Sequence, residues 1–160
     1  METKAIHSPY GVREAQLSDI PAMHRIRLAV KENILSDPSR VTEADYGPFL
    51  THQGKGWVAE VEGQLVGFSI LNLPDQSVWA LFVDPPYEGR GIGSNLLHAL
   101  LAWHFGQGGQ QISLSTDANT RAEAFYRKQG WQAAAPLPNG EIPFLLSRAQ
   151  WRAQASSLNR

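Results

Sequence analysis

The segment Pro86-Tyr87-Glu88-Gly89-Arg90-Gly91-Ile92-Gly93-Ser94 sets three glycines at alternate positions between an apolar run and an apolar helical pattern. The run before it, Val78 to Val83, is apolar on both faces, as a central strand covered by helices is. After it, Asn95 to Phe105 carries Leu96, Leu97, Leu100, Leu101 and Phe105 on one stripe, the pattern of a mostly buried helix. A strand feeding a helix through such a loop turns several unpaired N–H groups, at the positive end of the helix dipole, toward one point. Longer side chains there would block a phosphate. The spacing fits neither common nucleotide loop. A P-loop ends in Gly-Lys-Ser/Thr, where this chain has Ile92-Gly93-Ser94. A dinucleotide fingerprint runs G-x-G-x-x-G with an acid about 20 residues on; here the glycines run G-x-G-x-G and Asp117 lies too late.

Outward from this loop the chain alternates between two periods. Toward the N-terminus, Trp57 to Val61 and Leu65 to Leu71 read as strands joined by Glu62-Gly63-Gln64, a hairpin signal. Earlier still, Tyr10 to Ala15 is a short strand, Ser18-Asp19-Ile20-Pro21 opens a helix through about Lys31, and Thr42 to Tyr46 begins a second, short helix after the turn-rich Ser36 to Ser39. Toward the C-terminus, Gln111 to Ser115 is a strand. Thr120-Arg121-Ala122-Glu123 is a capping box opening a helix that Gly130 closes, and Trp131 to Ala135 and Glu141 to Ser147 are a final strand pair. The expected architecture is α/β (α+β): a mixed, mostly antiparallel sheet of about 6–7 strands flanked by about four helices, in one domain over 10–148 with tails at 1–9 and 149–160.

Composition narrows the partners. A chain of 160 residues with net charge -1 has no general attraction to nucleic acid or to anionic membranes, so an anionic ligand must be held locally. There is no cysteine, hence no disulfide frame, no thiolate nucleophile and no sulfur-bound metal. No apolar run nears the roughly 20 residues of a membrane span, and the N-terminal segment lacks a signal pattern. The expectation is a soluble cytoplasmic protein. The five histidines sit without metal-ligand spacing, His98 and His104 six apart on one helix and His7, His24 and His52 singly, so no metal is expected.

Leu81-Phe82-Val83-Asp84-Pro85 leading into Glu88-Gly89-Arg90-Gly91-Ile92-Gly93-Ser94 resembles motif A of the GNAT superfamily of N-acetyltransferases, a central strand, then Arg/Gln-x-x-Gly-x-Gly/Ala, then a helix. Asn119 to Trp131 is similar to the family signature Asn-x-x-Ala-x-x-Phe-Tyr-x-x-x-Gly-Phe. With the family's element order, the resemblance covers roughly residues 10–147. It implies acetyl-CoA as donor and a primary amine, small molecule or peptide, as acceptor, with direct attack in a ternary complex. The implied cofactor-binding residues are Leu81, Phe82, Val83, Glu88, Gly89, Arg90, Gly91, Ile92, Gly93, Ser94, Asn119 and Tyr126. It further implies that the strand ending at Val83 splays from its neighbour, that Val83 N–H polarises the thioester carbonyl, that Asn119 bonds the pantetheine, and that Tyr126 protonates the leaving thiolate. The fold often pairs through its last strands, which makes a homodimer an expectation.

Two departures stand out. Glu88 occupies the family's Arg/Gln position, placing an acid beside the expected phosphates, with Arg90 as the compensating cation. Ser77 stands where many relatives carry a Glu base, leaving Glu32, Asp45 and Glu141 as general-base candidates. Helical geometry groups Ala122, Phe125 and Gln129 on one face and sets Tyr126 about 100° away, at the edge of the core. Trp57, Trp79 and Trp131 read as core or groove-wall residues, Trp79 bordering the acceptor side. The segments Asn33 to Lys55 and Pro136 to Pro143 are expected to meet the acceptor. Two other readings predict different ligands: a CoA-binding sensor or assembly module of the same fold, and a nucleotide-binding protein.

Overall fold

The computed structural model describes residues 11–30 and 41–158, with side chains to Gln154. His7, Glu32 and the turn at Ser36 to Ser39 lie outside the described residues. Strand β1 (Gly11–Glu14) leads through a 3-10 turn into helix α1 (Ile20–Ala29), and a second such turn, Glu43–Asp45, leads into α2 (Tyr46–Leu50). Then come β2 (Gly54–Val61), β3 (Gln64–Asn72), β4 (Ser77–Val83), α3 (Ile92–Gly106), β5 (Gln111–Thr116), α4 (Arg121–Lys128), β6 (Gln132–Ala133), β7 (Ile142–Ser147) and α5 (Arg148–Leu158). The seven strands form one sheet in the order β1-β2-β3-β4-β5-β7-β6. Every neighbouring pair is antiparallel except β4 and β5. Among the described residues no helix is long and apolar enough to cross a membrane.

Local sequence explains the boundaries. Glu62 and Gly63, with φ of 51° and 81°, make the two-residue turn of the β2–β3 hairpin, where both central residues need positive φ. The Thr120 hydroxyl accepts from Glu123 N–H at 3.2 Å and so caps α4. The C-terminal segment, which the sequence leaves open as a short helix or a loose tail, runs from β7 directly into a fifth helix. Trp151 stacks on Phe105 at 5.8 Å, and Gln154 Nε2 donates to the Gln129 carbonyl at 2.9 Å. Tertiary contact, rather than a strong apolar stripe of its own, holds that helix.

The core is divided by the sheet. One cluster, with Leu96, Leu97, Leu100 and Phe105 of α3, Tyr126 of α4 and Phe144 and Leu146 of β7, fills the α3, α4 and α5 side. The other, with Met23 and Ile26 of α1 and Tyr46 of α2, packs on Val58, Phe68, Ile70 and Ala80. Strand β4 contributes to both, and one irregularity decides how. Its register with β3 passes from Leu71↔Val78 to Ile70↔Ala80, leaving Trp79 without an opposite residue. This bulge puts Trp79 and Ala80 together on the α1–α2 side, while Val78, Leu81 and Val83 pack with the α3 side.

The face assignment of β7 is directly testable, because Leu145 is 38% exposed and Leu146 fully buried. Leu146→Ala is expected to cost about 2–5 kcal/mol in urea unfolding and Leu145→Ala under about 0.5 kcal/mol. The reverse order would mean that the strand is out of register by one residue.

Candidate active site

Strands β4 and β5 start together and separate. Their register holds one pair, Ser77↔Ser113, beside a Ser113 N–H to Gln76 carbonyl bond of 3.0 Å. Beyond it β4 stays paired with β3 to Val83, while β5 turns its other edge to β7 over its whole length. The result is a wedge between two parallel strands. Asp84 N–H bonds the Val66 carbonyl of β3 at 2.8 Å. Backbone direction alternates along a strand, so Phe82 also faces β3, whereas the N–H and C=O of Leu81 and Val83 face the wedge. Of the three strand residues assigned to cofactor binding, Leu81 and Val83 therefore offer backbone groups there. Phe82 does not, and its ring lies on the far face, 4.9 Å from the Arg27 guanidinium.

At the wide end of the wedge, α3 begins with its N-terminus exposed. Gly89 and Gly91 have φ of 81° and 84°, a region L side chains rarely enter, and Gly91 is the N-cap. Gly93 is different. It is helical, and a Cβ there would meet Val83 Cγ2 at 3.6 Å and the Phe125 ring at 3.9 Å, ordinary contacts. The fold accepts an alanine at 93, which a helix prefers by about 1 kcal/mol. The bare position instead leaves room for something to approach the amides of the first turn, which have no partner inside the helix. Ser94 Oγ accepts from Gln129 Nε2 at 2.9 Å, fastening α4 to the start of α3, and the Ile92 side chain is buried beneath the loop.

Glu88 does not face the loop as a bare acid. Its Oε1 pairs with Arg121 Nη1 at 2.7 Å, so the first residue of α4 neutralises it. Arg90, expected as the compensating cation, lies with its guanidinium 5.0 Å from the Tyr87 ring. Asn119 sits at φ 64° before the cap, and its N–H donates to Glu123 Oε1 at 2.7 Å. Thr120 does the capping, which leaves the Asn119 side chain outside that role.

Tyr126 is not at the edge of the core. It is 5% exposed, with ring centroids 5.0 Å from Phe125, 5.3 Å from Trp131 and 6.0 Å from Phe144. The helical face is centred on Tyr126, and Phe125 is the half-buried neighbour, reaching toward Gly93 and Val83. Burial pushes the phenol above the ordinary tyrosine range, so it stays protonated at neutral pH.

On the opposite face, Trp79 stacks on Phe49 at 4.5 Å and meets the edge of Tyr46 at 5.3 Å, with Arg27 5.0 Å over its ring. Burial raises the Tyr46 phenol, against an opposing effect of Arg27. His24 Nδ1 lies 3.1 Å from the Tyr46 hydroxyl. Of the base candidates, Asp45 accepts from Thr42 N–H at 2.7 Å and serves its own turn, and Glu141 lies just before β7 with its N–H donating to Asn139 Oδ1 at 3.0 Å; Ser77, at the family's Glu position, starts β4 at the closed end of the wedge. His104 is buried with Nε2 2.9 Å from the Gln111 carbonyl, and His98 lies 5.3 Å from Trp151. Among the described residues no group of three potential ligands could hold a metal.

Sequence reasoning missed Arg121 and Thr116. Arg121 was hidden as a surface residue in a capping box. Thr116 carried a signal, since Ile112, Leu114 and Thr116 share one face of β5 and only the last is polar.

The raised phenol fixes the sign of a pH effect. An unfolded tyrosine ionises near pH 10 and the folded one above it, so the stabilisation is complete below that pH and is lost as pH climbs beyond it. Tyr126→Phe is expected to reduce the fall in urea midpoint between about pH 9 and pH 11; an unchanged fall would contradict the burial.

The Acetyltransferase (GNAT) family profile matches residues 20–131. The chain is 34% identical over 76 residues to the uncharacterized N-acetyltransferase YafP of Escherichia coli, covering 48% of this chain and 45% of that protein. It is 38% identical over 91 residues to mycothiol acetyltransferase of Amycolatopsis mediterranei, covering 54% of this chain and 29% of that one. The matches thus span less than half of these relatives' lengths. Its fold superposes on yncA of Salmonella typhimurium, solved with acetyl-CoA, with a TM-score of 0.70 at 17% identity, over 88% of this chain and 94% of that one. By sequence and by fold, this chain belongs to the acetyltransferase (GNAT) family.

Proposed function

We propose that the chain moves an acetyl group from acetyl-CoA to a primary amine by direct attack within a ternary complex. The observation that carries this is the pairing of a wedge edge of free backbone groups with a helix start whose third glycine the fold itself does not require. The amides of Gly89 through Ser94 hold the pyrophosphate, with α3's dipole adding the equivalent of about half a positive charge. Glu88 tolerates that anion because Arg121 neutralises it. The Leu81 and Val83 backbone groups and the Asn119 side chain take the pantetheine. The cofactor supplies a thioester, an acyl group already activated toward an amine.

The rest is the work of this chain's residues. Val83 N–H, turned away from β3 into the wedge, would act as donor to the thioester carbonyl oxygen as negative charge develops there, a contribution on the order of 3 kcal/mol. Tyr126, neutral by burial, donates its proton to the departing sulfur, whose ordinary pKa is about 8.5. A phenol held above its usual range is a weak acid, so the donation serves a thiolate already forming rather than initiating cleavage. Ser77 cannot take a proton at neutral pH; the attacking amine loses its own to water, and solvent returns one to Tyr126. The aromatic panel of Trp79, Phe49 and Tyr46 forms the acceptor side. The absence of cysteine suits a reducing cytoplasm.

Free-thiol release from acetyl-CoA across a panel of amines tests the reading. Turnover with at least one amine is expected, and Tyr126→Phe should lower kcat about 100-fold at saturating acetyl-CoA. Binding of CoA without thiol release would instead mean a CoA-binding module, which Ser77 in place of a carboxylate would favour. Gly93→Ala separates ligand from fold. It should leave thermal stability equal or raised by up to about 1 kcal/mol, while CoA affinity falls about tenfold or more, equivalent to about 1.4 kcal/mol. Unchanged affinity would remove the phosphate from this loop.

A further inference from the structure

Thr116 ends β5 with a hydroxyl the fold does not use. The residue is 8% exposed, and its Oγ1 is buried with no hydrogen-bond partner among the described residues. A buried hydroxyl left unpaired carries its full desolvation penalty, which a valine of the same shape avoids. Its strand makes the choice more pointed. Ile112 and Leu114, on the same face, pack into the core cluster that holds Tyr126, and position 116 would suit a third apolar side chain.

Its place in the wedge supplies a use. From the single bridge Ser77↔Ser113 the parallel strands run on together, so Thr116 stands level with Ala80 and Leu81 on the opposite wall. Leu81 turns its backbone groups into the same gap. Any extended amide-bearing chain lying along β4 would meet strand-like partners on one side and Thr116 on the other. A threonine hydroxyl both donates and accepts, and one staggered step of χ1 exchanges it with the methyl, bringing it from its buried position to the side the ligand occupies.

We propose that the Thr116 hydroxyl hydrogen-bonds the pantetheine arm of bound CoA, from the β5 wall of the wedge. This rests on the assignment of CoA to the wedge. The test is calorimetric titration of wild type, Thr116→Val and Thr116→Ser with CoA and with adenosine 3′,5′-bisphosphate, which lacks the pantetheine, beside thermal melts of the free proteins. Thr116→Val should bind CoA about five- to tenfold more weakly, bind the bisphosphate as wild type does, and melt no lower than wild type. Thr116→Ser should restore CoA binding. Wild-type CoA affinity in the valine variant would overturn the proposal, as would equal weakening of both ligands, a lowered melting temperature, or a serine variant no better than valine. If wild type itself does not bind CoA, the cofactor assignment fails; if it does and the valine variant matches it, only the role of Thr116 fails.

Discussion

A strand edge left open inside a sheet is the constraint on which this structure turns. Backbone N–H and C=O groups are obligatory hydrogen-bonding groups, and a sheet normally closes on them. Here β4 is paired along β3 but touches β5 at one position. The opening is stable because neither strand depends on the missing ladder: β5 pairs all six of its residues with β7. The sheet is thus two half-sheets joined at Ser77 and Ser113. Helix α4 is fastened to the start of α3, with the Phe125 ring beside Gly93 and Gln129 bonding Ser94. Groups that would be a liability on an outer edge, where another chain could pair with them, become selective inside a wedge whose width and walls the fold sets.

The same economy governs charge. An acid at position 88 and a net charge of -1 are poor ingredients for an anion site judged by side chains alone. In the folded chain the acid is spent on Arg121 and the favourable field comes from oriented amides. An exposed ion pair of this kind adds little stability, typically about 0–1 kcal/mol. Its effect is local: it keeps Glu88 from opposing the dipole and ties the β4–α3 loop to the start of α4. Two loops distant in sequence are thereby held at one mouth.

Much of this was legible in the chain because it is written in side chains. The three glycines, the stripe from Leu96 to Phe105, the Glu62-Gly63 turn and the Thr120 to Glu123 cap each have a local cause, and each lies where the spacing puts it. The wedge was legible only through family resemblance, since a missing backbone ladder leaves no trace in apolar alternation. Tyr126 was placed a fraction of a turn too far out, because a helix of eight residues offers too few apolar positions to fix its face, and Trp131 and Phe144, distant in sequence, decided it. Helix α5 and the Glu88–Arg121 pair depend likewise on contacts between separated segments. The glycines read as one signal in the sequence, yet they divide into two kinds: Gly89 and Gly91 are required by φ, whereas Gly93 is helical with room for a Cβ.

The bulge at Trp79 links the two faces. Without it, alternation running on from Val78 would leave Trp79 on the α1–α2 side but send Ala80 to the α3 side and turn Leu81 and Val83 away from it. With it, Leu81 and Val83 keep their side chains on the α3 side, while Trp79 joins Ala80 against Phe49 and Tyr46. One extra residue therefore keeps Ala80 beside the aromatic wall of Trp79, Phe49 and Tyr46 and sets the phase of the side chains and backbone groups beyond it. In the proposed reaction donor and acceptor must meet from opposite sides of the sheet, and a reaction across a sheet needs a place where the sheet is open. The bulge and the single bridge at Ser77 lie at the same end of β4, so the aromatic wall begins where the wedge does, and a shift in either would misplace both.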